Sequence, residues 1–253
     1  MPRKPHILIP RDRKQAHGSG WFRIEILYPG LFTGDRDSGI GTLGRIDDAR
    51  VTPGHIVKMH PHRDDEILTY LRSGMLEHRD TVGVPEAVTP TRLMLMNAGA
   101  EFQHEERVVA EGGPLRALQI FLRPETPGLK PQVQFHDFGT ATSDGEWRLI
   151  AGPEGEAPLE VRSRSWVEDA RFKAGNGYLL PEPYSTGLTR MLYVFDGTIE
   201  LDGHRLTAGG AAILSGDAAS FSVEEHAELV LFSTDEAAPV FKSGKFSGNR
   251  LPA

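Results

Sequence analysis

The sequence predicts an all-β protein of two tandem β-barrels, and three observations predict it. Short apolar segments recur between clusters of Gly, Pro, Asp and Asn, with 28 Gly and 18 Pro in 253 residues; runs bounded by turn formers read as strands. Apolar periodicity of the helical kind is scarce. One order of features also occurs twice. Tyr70-x-x-x-Gly74-x-x-Glu77 returns as Tyr193-x-x-x-Gly197-x-x-Glu200, and Leu95-Met96-Asn97-Ala98-Gly99 is matched by Ala212-Ile213-Leu214-Ser215-Gly216. In the first pattern of each half an apolar strand meets a turn at Gly and a second strand begins.

Taken in order, the chain opens on a basic Met1-Pro2-Arg3-Lys4 with no apolar region behind it, which reads against a secretory leader. Arg11, Arg13 and Lys14 follow, expected as a solvated basic stretch. Strands are expected at 67–71, 93–96 and 115–122; Met94 and Met96 would share one face of theirs as core filling. Pro124, Pro127, Gly128 and Pro131 mark a crossover, which places one barrel at 1–130 and the other at 131–253. A further strand is expected at 229–232.

Charge and composition narrow the function. A net charge of −7, with 39% hydrophobic and 25% charged residues, fits a globular protein. No basic patch of the size a nucleic-acid binder needs is present, and no apolar run is long enough to cross a bilayer. A cytoplasmic protein is expected, and the internal repeat makes a monomer the expected state. With 0 Cys there is no thiolate, so any transition metal must be held by imidazole and carboxylate.

Two pairs offer those ligands: His60 and His62 in a His-Pro-His run, and His104 and Glu106 in a His-Glu-Glu run. Alternate residues of a strand point to one face. Two facing strands would therefore aim three imidazoles and one carboxylate at one divalent ion. Transferring these positions by the internal repeat gives Pro183, Ser185, Phe221 and Val223, none of them a strong ligand, so one metal is expected, in the N-terminal half.

The stretch Gly54-x5-His60-x-His62-x3-Glu66-x7-Gly74 resembles the first cupin motif, one residue longer before its last Gly. Closer still, His60-Pro-His-Arg-Asp-Asp-Glu-Ile-Leu-Thr-Tyr70 and Glu77-His78-Arg79-Asp80 resemble signatures of the pirin family, and the run from Asn97-Ala98-Gly99 to His104-Glu105-Glu106 resembles its second ligand segment. The likeness covers about residues 42–125. It implies an RmlC-like bicupin, two tandem cupin (jelly-roll-like) β-barrels, with metal ligands His60, His62, His104 and Glu106. Asp65, Glu105 and the segment 21–28 depart from the family pattern; by strand alternation Asp65 and Glu105 should point away from the metal. Glu66 is kept as a group behind the ligands. Asp64 and Asp65 read either as an acid pair or as a solvated turn, and His78 as a structural histidine near a strand end.

The resemblance implies Fe(II) first, with Ni, Mn, Cu or Zn as alternatives. It further implies a quercetin 2,3-dioxygenase-type reaction, in which O2 opens the ring of a flavonol with loss of carbon monoxide and Glu106 takes the proton of the 3-hydroxyl. The alternative is a metal- and redox-dependent protein partner of transcription factors, without turnover.

Overall fold

The computed structural model describes residues 6–83, 85–216 and 220–251; the basic opening at Met1–Lys4 lies outside them. Apart from strands, the described residues include three short 3-10 turns, Arg11–Arg13, Pro29–Phe32 and Ala110–Gly112. No helix among them is long and apolar enough to cross a membrane.

The first barrel is two facing antiparallel sheets. One runs in the order Gln132–Asp137, Arg92–Asn97, Glu66–Ser73, Leu115–Leu122, Leu43–Val51, Phe22–Leu27 and Gln15–Ser19. The other runs Ile56–His62, Phe102–Val108, Leu76–Asp80 and Glu86–Val88. The second barrel is wound from an eight-stranded sheet. Its long members Ser165–Leu179, Thr189–Leu201 and Ser220–Thr234 bend at breaks in register, as bulges allow. The bicupin expectation describes this architecture.

The division expected at 130/131 is crossed in both directions. Ile7–Ile9, from the start of the chain, pairs with Ala211–Ile213 of the second barrel. Gln132–Asp137 pairs with Arg92–Asn97 of the first. The junction is therefore a shared apolar layer. Along Thr189–Leu201 alternate residues serve two cores: Leu192 and Val194 pack inside the second barrel, while Met191, Tyr193 and Phe195 join the core of the first. Along Ser220–Thr234, Leu229 and Leu231 face one way and Val230 and Phe232 the other. Strands buried on both faces need apolar side chains at both parities, which explains the unbroken run Leu229-Val230-Leu231-Phe232.

The repeated motif has a structural meaning. Gly74 and Gly197 take φ +85° and +81°, a region costly for a residue with a Cβ. A Cβ on Gly74 would lie 2.8 Å from Leu115 Cα, and one on Gly197 1.9 Å from the His226 carbonyl oxygen. The repeated tyrosines reach across the junction reciprocally. Tyr70 donates its hydroxyl hydrogen bond to Asp169 at 2.9 Å, and Tyr193 donates to Asp48 at 2.8 Å. Of the basic stretch expected to be solvated, Arg13 is exposed, but Lys14 is not. Lys14 is buried against Asp48, Glu25 and Tyr193, and Arg11 pairs with Glu25. These cations neutralise carboxylates that the junction would otherwise leave buried and unpaired. Met94 and Met96 are fully buried, as core filling.

Candidate metal centre

Ile56–His62 is the edge strand of its sheet, and it pairs antiparallel with Phe102–Val108 so that His60 faces His104 and His62 faces Phe102. An edge place tolerates Pro61, which has no N–H to give to a ladder. Alternation on each strand brings the imidazoles to one side. His62 Nε2 lies 3.1 Å from His60 Nε2, and His104 Nε2 lies 3.1 Å from His60 Nε2. The second nitrogen of each ring is engaged elsewhere. His60 Nδ1 donates to the Lys58 carbonyl at 2.9 Å, and His62 Nδ1 donates to Asp65 Oδ2 at 3.3 Å. His104 Nδ1 stands 3.4 Å from His78 Nδ1.

Glu106 is on the same face but the other flank of His104. A register shift between His104 and Glu106 sets Glu106 opposite Val57. Its Oε1 is 4.0 Å from His104 Nδ1, and its Oε2 accepts from Gln119 Nε2 at 2.9 Å. Glu106 Oε1 is buried with no hydrogen-bond partner. Among the described residues, the groups close enough to share an ion are His60–His62–His104 and His78–His104–Glu106, each with ligating atoms within 4.8 Å of one another. The structure thus joins the three predicted histidines directly and sets the predicted carboxylate beside them rather than in the same cluster.

Burial decides the charge states. It pushes the pKa of His60 and His104 down, helped at both by neighbouring imidazole charge, and pushes Glu106 up from 4.5 to about 7 against the opposing Gln119 hydrogen bond. Neutral rings whose Nδ1–H groups are engaged turn lone pairs on Nε2 toward one another. On His60 and His104 two such lone pairs stand 3.1 Å apart and repel unless a cation lies between them. Two nitrogens each about 2.1 Å from one ion stand about 3 Å apart when they meet it near a right angle. The donor set therefore fits a divalent transition ion, and the orphaned carboxylate oxygen fits a further ligand or a proton acceptor.

The surroundings correct several expectations. Asp65 does not point away: it is fully buried, accepts from His62, and accepts the backbone N–H groups of Phe246 and Ser247 at 3.0 and 2.8 Å. Asp64 takes φ +53°, and that turn resets the alternation that was counted through it. Asp64 is buried too, accepting from the Gly128 N–H at 2.7 Å, so neither aspartate belongs to a solvated turn. Glu66 serves Arg162 of the second half at 2.7 Å and Asn97, not a ligand histidine. His78 is wholly buried against His104; the i, i+2 spacing of His78 and Asp80 was the signal for it, the same spacing that marked the ligands. Gln119 and the C-terminal tail carried no signal. In the second barrel Phe221, one of the transferred positions, packs on Phe172 and Tyr178 with ring centroids 5.2 and 5.6 Å apart.

A cavity of about 100 Å³ opens beside the cluster. His60, Thr69, Glu106 and Gln119 supply its polar wall, and Phe22, Val57 and Leu115 are among its apolar ones.

The Pirin family's sequence model matches residues 34–122. A pirin-like protein of Caulobacter vibrioides is 28% identical over 88% of this chain and 96% of its own. The quercetin 2,3-dioxygenase of Escherichia coli K12 is 26% identical over 77% and 83%. Among solved structures, the bacterial pirin YhhW of Escherichia coli in complex with nickel(II) superposes with a TM-score of 0.77 at 24% identity, covering 93% of this chain and 100% of that one. That last likeness shows the fold, two cupin barrels in tandem. The chain is thus similar to pirins over residues 34–122 and, along most of its length, to relatives named as pirin-like proteins and quercetin 2,3-dioxygenases.

Proposed function

We propose that the protein binds one divalent transition metal through His60, His62 and His104, with Glu106 as fourth ligand and proton acceptor, and that it oxidises a flavonol-like aromatic with O2. The observation that carries this reading is the convergence of three Nε2 atoms whose rings are each engaged at Nδ1. The nickel(II) complex of the Escherichia coli pirin and the relatives named as quercetin 2,3-dioxygenases support it. When bound, the metal supplies Lewis acidity toward a substrate oxygen and an electron-transfer partner for O2.

The remaining chemistry belongs to the chain. Glu106, whose pKa burial raises to about 7 in the absence of a cation, is placed to take the proton of an acidic aromatic hydroxyl. Gln119 holds one carboxylate oxygen; the other, which has no hydrogen-bond partner, would hold the metal and receive the proton on loosening from it. The apolar walls exclude water and present an aromatic ring face to the histidines. A cavity of about 100 Å³ holds roughly one ring, so the reacting ring would enter it and the remainder of a flavonol would stay outside.

Elemental analysis with flavonol-dependent O2 uptake tests the proposal. His60→Ala, His62→Ala and His104→Ala should each lose the metal. Glu106→Gln should keep part of it and lose uptake by at least about a hundredfold. Full uptake in Glu106→Gln would overturn the role of that carboxylate. No uptake with iron, nickel, manganese or copper would overturn the enzymatic reading and leave a binding module.

A further inference from the structure

Resting on the metal reading above, we infer that His78 and Asp80 form a positioning dyad that sets the tautomer and ring orientation of His104. Leu76–Asp80 lies beside Phe102–Val108 with Asp80 opposite His104 and His78 opposite Glu106. Asp80 Oδ1 accepts the backbone N–H groups of Val82 and Gly83, each at 2.7 Å. Its Oδ2 is 2.6 Å from His78 Nε2. Both oxygens act as acceptors, so the proton of that contact sits on His78 Nε2. A neutral His78 then presents a bare Nδ1 to His104 Nδ1 at 3.4 Å. One proton is needed between them, and it comes from His104. His104 is left with its lone pair on Nε2, toward His60 and His62.

The chain Asp80–His78–His104 thus does for the third ligand what Lys58 and Asp65 do for the other two. Outer groups of this kind fix a ligand ring and raise its basicity. His78 is fully buried and the Asp80 side chain nearly so, so water cannot replace the dyad. The same atoms admit one competing arrangement, a second ion held by His78, His104 and Glu106, which would require His104 to bridge two metals.

Zinc titration against a chromogenic chelator, with nitrogen-correlated NMR of the histidine rings in the zinc-loaded protein, decides between them. The parent should bind one zinc and show His104 protonated at Nδ1. His78→Phe should weaken zinc binding by about 10- to 100-fold and shift the His104 Nδ1–H signal. His78→Gln, whose carbonyl can accept that proton, should restore most of both. Asp80→Asn sets an amide N–H against His78 Nε2, forces the opposite tautomer on His78 and should weaken binding comparably; it decides the matter if His78→Phe does not fold. Parental affinity and an unmoved signal in the variants, or a second zinc lost on replacing His78, would overturn the dyad. If His60→Ala and His62→Ala bind zinc as the parent does, the metal reading itself fails.

Discussion

At the scale of single residues, Glu106 makes a pH-dependent contribution with a definite sign. Burial raises its folded-state pKa from 4.5 to about 7. A raised carboxylate pKa means the folded state keeps a proton that the unfolded chain releases. The contribution is fully present below the unfolded value and is lost as pH rises through the folded one. Metal-free Glu106→Gln removes that dependence. Relative to the parent it should gain on the order of 3 kcal/mol between pH 4.5 and pH 8, read by urea unfolding in chelator at several pH values; a parallel pair of curves would refute the burial argument. Asp65 is the second test. It holds His62 and the N–H groups of Phe246 and Ser247. Asp65→Ala should weaken metal binding by about 10- to 100-fold and cost about 2 kcal/mol or more in unfolding free energy by leaving buried donors unpaired. Unchanged affinity would show that His62 needs no such anchor. The convergence of His60, His62 and His104 was legible because the i, i+2 rule holds for His60 and His62 on their strand and His104 stands opposite His60 on the neighbouring one. Asp65 was misread because Asp64 adopts φ +53°, and a left-handed aspartate leaves no trace in an alternation pattern.

At the scale of elements, the glycines of the repeat were legible, and the constraint on Gly74 differs from that on Gly54. Gly54 and Gly74 share φ near +83° and +85°. Around Gly54 a Cβ would meet nothing, whereas at Gly74 it would meet the Leu115 backbone at 2.8 Å. Gly54→Ala should cost about 1 kcal/mol from backbone strain alone. Gly74→Ala adds a clash with a neighbouring strand that side-chain motion cannot relieve, and should cost about 3 kcal/mol or more. Denaturant midpoints at constant m-value measure the difference. Equal losses would mean that the strands at Gly74 part easily, and that the repeat marks a turn rather than a close packing of strands. The strands beyond these turns were found in sequence by composition, but their partners were not. Nothing local in Ile7–Ile9 distinguishes pairing with Ala211–Ile213 from pairing within the first half.

At the scale of the whole molecule, the site in the first barrel is completed by the last residues of the chain. The Phe246 ring lies 4.9 Å from the His62 ring, Lys245 Nζ donates to the Pro61 carbonyl at 2.7 Å, and the Phe246 and Ser247 N–H groups hold Asp65. Arg123, fully buried at the end of the first barrel, donates to the Ser247 carbonyl at 2.8 Å while it pairs with Asp37. These contacts span more than a hundred residues of sequence, so no local pattern could announce them. The tail docks where Asp64 and Asp65 would otherwise face water. Ending the chain after Val240 should therefore leave both barrels in place and still weaken metal binding by about 10- to 100-fold, because Asp65 and through it His62 lose their anchor. The truncated chain should also lose about 2 kcal/mol or more of stability from the hydrogen bonds withdrawn from Asp65 and Arg123. Lys245→Ala removes a solvent-exposed strap and should change stability by less than about 1 kcal/mol. Chelator competition and thermal melts on the three proteins separate these effects. A truncated chain that holds metal as tightly as the full one would show that the first barrel positions His62 unaided, and that the tail is a cover rather than part of the site.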